Sequence, residues 1–204
     1  MSNKYIAIAG NMGAGKSSLV EFLCSHFGLK PFFEPHLTNP FLELFYQDMK
    51  RWAFHSQMYY LSNKFRIHRE LDTTNGTVVQ DRTIFEDAEI FAENLYRQGH
   101  MSEPEYETYR HLYETMLKAI QPPDILLYLE CPVKALKTRI AKRGRGMEQS
   151  IPDSYIRGLH KLYTEWIDGY KLSPVIRYST EKQDYLSDFI HRQDLLSLIE
   201  KHLV

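Results

Sequence analysis

Tyr5-Ile6-Ala7-Ile8-Ala9-Gly10-Asn11-Met12-Gly13-Ala14-Gly15-Lys16-Ser17 opens the chain with a short apolar run and a glycine-rich turn. Tyr5–Ala9 reads as a buried strand, because an apolar run this short and bounded by glycine has strand length. Gly10 through Ser17 match G-x-x-x-x-G-K-[ST] in full. From Ser17 to Phe27 the residues Leu19, Val20, Phe22 and Leu23 recur at helical spacing, and Gly28 stops the run. Strand, glycine-rich loop and helix in that order is the context this motif requires. The glycines let backbone N–H groups turn toward a phosphate, and the helix that follows offers its positive end. Lys16 reaches the terminal phosphates, and the Ser17 hydroxyl can hold Mg²⁺. Gly10, Asn11, Met12, Gly13, Ala14, Gly15, Lys16, Ser17 and Ser18 are therefore expected to cradle a nucleoside triphosphate. A glycine-rich turn without a ligand is the bland alternative, and it leaves the full motif to chance.

Outward from this loop, short apolar runs alternate with helical stretches. Pro31-Phe32-Phe33 reads as a second strand ending in Glu34-Pro35, and Thr77-Val78-Val79-Gln80 as a third ending in Asp81. Asp124–Leu129 and Val175–Tyr178 complete five. Between them the spacing predicts one helix from Pro40 to about Leu71, with a start at Asn39-Pro40, and others over 84–97 and 103–120. A helix from Pro132 runs into a basic segment, another spans 153–170, and Asp184–Leu203 closes the chain. The pattern predicts an α/β fold, a five-stranded parallel sheet with helices on both faces, in a single domain over residues 1–204.

Composition narrows the partners. Among 204 residues, 43% are hydrophobic and 25% charged, enough for a full core, and the formal net charge of -1 gives no global pull toward nucleic acid or anionic membrane. The two cysteines, Cys24 and Cys131, lack paired ligand spacing, and the nine histidines form no H-E-x-x-H pattern, so a zinc site is not expected. No apolar run is long enough to span a bilayer, and a loop beginning at Gly10 leaves no room for a leader; a cytoplasmic protein is the expectation.

The loop alone leaves a kinase, a GTPase switch and an ATPase motor open. A GTPase reads guanine with N-K-x-D, whereas Asn63-Lys64-Phe65-Arg66 has arginine in the aspartate position and lies in a predicted helix. Two acids, Glu34 and Asp81, stand at strand ends, and the carboxyl ends of parallel strands border the ligand crevice. One carboxylate can take a proton from an attacking hydroxyl and the other can orient Mg²⁺; capping a turn is the plain alternative for each. Between Cys131 and Met147 lie six cations (Lys134, Lys137, Arg139, Lys142, Arg143, Arg145) and no acid. Arg139 and Arg143 are four apart, on one helix face, and Arg143-Gly144-Arg145-Gly146 ends the helix in a flexible turn. A lid over about 139–150 that delivers guanidinium groups to a phosphoryl fits a neutral chain better than a nucleic-acid patch.

Together these residues resemble the deoxynucleoside kinase family, over nearly the whole chain. The carriers are the Gly10–Ser17 loop, Phe33-Glu34-Pro35, Tyr46 six residues before Trp52, Gln57, Asp81-Arg82-Thr83 followed by Asp87, and Arg139-x-x-x-Arg143-Gly144-Arg145-x-x-Glu148-Gln149. The resemblance implies the P-loop kinase fold and ATP-dependent phosphorylation of a deoxynucleoside 5′-hydroxyl. It implies Glu34 as general base, Arg82 as the cation steadying Glu34 and the reacting oxygen, and Arg139 as a further catalytic arginine. It further implies Ser17 and Asp81 at Mg²⁺, and Arg143, Arg145, Asp184 and Tyr185 on ATP. Tyr46 and Glu148 would bind the sugar 3′-hydroxyl, Gln57 and Asp87 the base, and Trp52 would line the base pocket. A homodimer joined through long helices is also implied.

An ionised Asp87 only accepts hydrogen bonds, which favours a base with an exocyclic amino group. Many relatives place an arginine seven residues after the glutamine, where this chain has Lys64, a point charge rather than a fork. The expected order is deoxyadenosine first, then deoxycytidine or deoxyguanosine. Two rivals stay open: a nucleoside monophosphate kinase, and a nucleic-acid-binding P-loop ATPase using the basic segment.

Overall fold

The computed structural model describes residues 3–34 and 38–203. Its sheet has five strands, β1 (Tyr5–Ala9), β2 (Lys30–Phe32), β3 (Val78–Asp81), β4 (Ile125–Glu130) and β5 (Val175–Ser179), in the order β2-β3-β1-β4-β5. Every pairing is parallel. All four residues of β3, the last four of β1 and the first five of β4 are buried. Successive residues point to opposite faces, so unbroken burial means that both faces are covered. The α/β reading is correct, with strand ends differing by a residue or so.

The chain leaves β1 for β2 and β3 on one side and for β4 and β5 on the other. That arrangement opens a crevice at the carboxyl end of β1. Ile8 pairs with Asp81, and the Arg82 N–H donates to the Ile8 carbonyl at 3.0 Å, which sets the residues after β3 beside the glycine-rich loop. The loop hands over to α1 (Lys16–Phe27). A Cβ added at Gly13, where φ is 78°, would lie 3.0 Å from Ile140 Cγ1 and 3.2 Å from the Leu136 carbonyl, so the loop packs tightly on α7 (Val133–Arg143).

Three helical expectations need correction. The single helix over 40–71 is two, α2 (Leu42–Gln47) and α3 (Met49–Thr73). Asp48 breaks it by leaving helical geometry (φ −144°, ψ 87°) and accepting the Arg51 N–H at 3.1 Å, the way an aspartate competes with a helix and caps a new one. The stretch 84–97 is helical but uneven: α4 (Ile84–Glu86), a π-helical segment Asp87–Ala92, then α5 (Glu93–Arg97). The final helix, α9 (Phe189–Leu203), begins five residues late, because Asp184 takes the Leu186 and Ser187 N–H groups in a turn of its own. The remaining helices are α6 (Glu103–Leu117) and α8 (Asp153–Gly169). Among the described residues, no helix is long and apolar enough to cross a membrane.

Candidate active site

Two recesses meet over the glycine-rich loop. The inner one is lined by Glu34, Tyr46, Gln57, Asp81, Arg82, Asp87 and Glu148. The outer one is lined by Ala14, Gly15, Ser18, Arg139, Lys142, Thr180, Asp184 and Tyr185. Gly13, Lys16, Ser17, Arg143 and Arg145 border both. Lys16 is buried, donates to the Asn11 carbonyl at 3.2 Å, and is pushed down to about 8 by burial and then by the Arg82 charge. Gly10 and Asn11 shape the loop rather than line it. The Gly10 N–H donates to Glu86 Oε1 at 3.3 Å, and the Asn11 side chain bridges the Met12 N–H and the Ile156 carbonyl.

At the carboxyl end of β3, the Ser17 hydroxyl donates to Asp81 Oδ2 at 2.6 Å, while Asp81 Oδ1 is buried with no partner among the described residues. One hydroxyl, one carboxylate with a spare oxygen and a phosphate loop fit Mg²⁺, which favours a few protein oxygens plus phosphate over a protein-only cage. Among the described residues no cluster of three or more His, Cys, Asp or Glu could hold a metal by itself.

Arg82 donates to Glu34 Oε1 at 2.5 Å, and its guanidinium carbon sits 4.2 Å from the centre of the Phe91 ring. Burial alone would raise the Glu34 carboxyl, but Arg82, Lys64 and Lys16 outweigh it and hold it down at about 2. Glu34 is therefore an anion at any working pH. Asp87 behaves oppositely: burial first, then Glu34 and Glu86, push it up to about 7 against the pull of Lys64 and Arg82. The acceptor-only behaviour argued for Asp87 belongs to its ionised form, which burial disfavours. Asp87 Oδ2 and Gln57 Oε1 are buried without partners among the described residues.

Three further residues lie outside the inner cavity. Trp52 does not line the inner cavity. It stacks on Phe41 and leans on His55, with ring centroids 5.8 and 5.2 Å away. Five residues turn a helix about 500°, so Trp52 lies roughly 140° around α3 from Gln57. Arg139 does not reach Glu34; it donates to the Ala14 carbonyl at 3.3 Å and to Thr180 Oγ1 and O at 2.9 and 2.7 Å, bracing the loop in the outer recess. Only the last turn of α7 and the turn beyond it extend to the inner cavity. Lys64, on the same face of α3 as Gln57, is turned away from the base side: its ammonium donates to the carbonyls of Asp81 at 3.0 Å and Arg82 at 2.5 Å.

Glu148, inside the cavity, accepts from Arg143 at 3.1 and 2.6 Å and from Arg145 at 3.4 Å. Glu86 escaped the sequence reading, although Thr83-Ile84-Phe85-Glu86 has the spacing of a capping box. Its carboxylate accepts the Thr83 N–H at 2.8 Å, the Gly10 N–H and the Tyr163 hydroxyl at 2.9 Å, fastening the start of α4 to the loop. Tyr60, Phe91 and Tyr155, which also line the inner cavity, looked like ordinary core aromatics in sequence.

A family model described as deoxynucleoside kinase matches residues 6–204. The chain belongs to the deoxynucleoside kinase family. It is 39% identical over 188 residues to a deoxyadenosine/deoxycytidine kinase of Bacillus subtilis, covering 91% of this chain and 87% of that protein. It is 34% identical over 203 residues to a deoxyguanosine kinase of Lactobacillus johnsonii, covering 95% and 90%. A structure of deoxyadenosine kinase from M. mycoides with bound dATP is similar over 97% of this chain and 100% of that one, at TM-score 0.85 and 28% identity. The activity that goes with this family is ATP-dependent phosphorylation of deoxynucleosides in nucleotide salvage. Relatives of similar identity carry names for different bases, so the preferred base of this deoxynucleoside kinase has to be argued from its pocket.

Proposed function

We propose that this kinase transfers the ATP γ-phosphoryl to the 5′-hydroxyl of a deoxynucleoside whose base presents an exocyclic amino group at the edge facing Asp87, deoxyadenosine first, then deoxycytidine or deoxyguanosine. ATP would occupy the outer recess, with its adenine near Asp184 and Tyr185 and its phosphates on Gly13–Ser18, the part of the Gly10–Ser18 loop that lines it. The deoxynucleoside would occupy the inner cavity. The observation that carries the division of labour is the shared border: Lys16, Ser17, Arg143 and Arg145 face both recesses, where a phosphoryl would pass between them.

In this reading Glu34, anionic throughout, accepts the proton of the attacking hydroxyl, and Arg82 aims Glu34 and steadies the nascent oxygen charge. Ser17 and Asp81 would hold Mg²⁺, which when bound would supply charge neutralisation at the phosphates. Tyr46 and Glu148 bind the sugar 3′-hydroxyl, and closure of 139–150 would bring Arg143 and Arg145 from Glu148 toward the phosphates. A cytoplasmic homodimer, joined through long helices such as α3 and α6, accompanies this reading.

Base choice follows from the unpartnered acceptors. Gln57 can pair its amide with a ring nitrogen and an amino group, which leaves the carboxylate of Asp87 to take the second amino hydrogen. A 6-oxo group there would meet a lone pair, at a cost of about 1–3 kcal/mol. Because Lys64 is spent on backbone carbonyls, it does not reverse that preference. The ionised fraction of Asp87 rises with pH through about 7. Hence kcat/KM for deoxyadenosine should rise roughly tenfold from pH 6 to pH 8, and for deoxyguanosine should fall or stay flat. Asp87→Asn should flatten the deoxyadenosine profile. A pH-independent wild-type profile together with better use of deoxyguanosine at pH 8 would remove Asp87 from base selection.

A further inference from the structure

Lys64 touches neither the proposed substrate groups nor the phosphate loop, yet it is fully buried, at 0% exposure. Its ammonium donates to two consecutive carbonyls, those of Asp81, the last residue of β3, and Arg82, the first beyond it. Arg82 is the one non-glycine residue with positive φ among the described residues, at 59°. Left-handed backbone is disfavoured for a long side chain and persists only where the surroundings impose it. Here the backbone of Arg82 is held from both ends: its N–H donates to Ile8 of β1, and its carbonyl accepts from Lys64 of α3. Its guanidinium is thereby delivered to Glu34 over the Phe91 ring.

We propose that Lys64 is a positioning residue that fastens the turn after β3 to α3, fixing the left-handed backbone of Arg82 and through it the Arg82–Glu34 pair. The inference rests on the reading of Arg82 and Glu34 given above. It gives the lysine a task in phosphoryl transfer rather than in base reading. Gln57 lies on the same face of α3, so the base-reading helix and the transfer centre share one rigid link. The competing role is plain charge balance, a cation offsetting the buried carboxylates Glu34, Glu86 and Asp87.

The test is a mutant cycle on kcat for deoxyadenosine with wild type, Lys64→Met, Arg82→Ala and the double variant, with folding checked by circular dichroism. Lys64→Gln, which keeps an N–H donor without the charge, is carried in parallel and replaces the methionine variant should that one not fold. Lys64→Met should lower kcat by about 100-fold, the scale expected when a reacting group is misplaced by an ångström, with KM for ATP unchanged. Lys64→Gln should recover part of the loss. In the Arg82→Ala background, removal of Lys64 should cost less than about threefold, because the two act as one unit. The proposal is overturned if the Lys64 loss persists in full without Arg82, if glutamine is no better than methionine, or if only KM for the deoxynucleoside changes. Wild-type kcat in Arg82→Ala would instead remove the role of Arg82 itself, so the two failures are distinguishable.

Discussion

Glu34→Gln should lower kcat for deoxyadenosine by about 10²–10⁴-fold while leaving ATP binding within a factor of about two, the range that a positioned general base supplies. Glutamine keeps the shape and can accept a hydrogen bond from Arg82, but it cannot take a proton. The carboxylate lies in the inner cavity, held by Arg82 at 2.5 Å. Because the surrounding cations hold Glu34 down at about 2, its ionisation should contribute no acid limb to the kcat profile above about pH 4. Stopped-flow or steady-state ADP release across pH reads both effects. An unchanged kcat in Glu34→Gln, or an acid limb near pH 5 that disappears in that variant, would contradict the assignment.

Arg143→Ala should cost more, about 10³–10⁵-fold in kcat, as loss of a charge-stabilising arginine does in phosphoryl transfer. Arg143 borders both recesses, and in this state its guanidinium is parked on Glu148 at 2.6 Å. That ion pair ties the end of α7 to a residue lining the inner cavity. Binding of the sugar by Glu148 would then compete for the carboxylate and free the arginine for the phosphates. Arg143→Lys should rescue poorly, since an ammonium lacks the planar fork that meets two phosphoryl oxygens. Arg139→Ala should act differently. Its bonds to Ala14 and Thr180 brace the loop, so the change should appear mainly in KM for ATP.

The contrast between these arginines shows what sequence could and could not reveal. The loop, the five strands and the acids at strand ends were legible because each depends on local pattern: apolar runs, glycine spacing, and the rule that parallel strands end at the crevice. Glu34, Asp81, Arg82, Gln57, Asp87 and Glu148 do converge on one cavity. Spacing places Arg139 and Arg143 on one helix face but not how far along α7 each meets the site: Arg139 lies in the outer recess and Arg143 borders both. Trp52 enters by resemblance alone, and helix geometry sets it roughly 140° around α3 from Gln57, against Phe41. The break at Asp48 comes from an aspartate that caps a new helix inside a continuous apolar pattern, and the π-helical turn at Asp87–Ala92 leaves no mark on that pattern. Charge state was the least legible property. Burial raises both buried carboxylates, Glu34 and Asp87, but only at Glu34 do the neighbouring cations, Arg82 foremost, outweigh it, so the two move in opposite directions.

The most direct test of the central claim, phosphoryl transfer to a nucleoside hydroxyl, is ADP release from ATP–Mg²⁺ with three acceptors compared side by side: 2′-deoxyadenosine, its 5′-deoxy analogue and deoxyadenosine 5′-monophosphate. The account predicts turnover with 2′-deoxyadenosine alone, because Glu34 needs a hydroxyl proton and repels an anionic acceptor. Turnover of the monophosphate with none of 2′-deoxyadenosine would contradict it and make the inner cavity a phosphate-acceptor site.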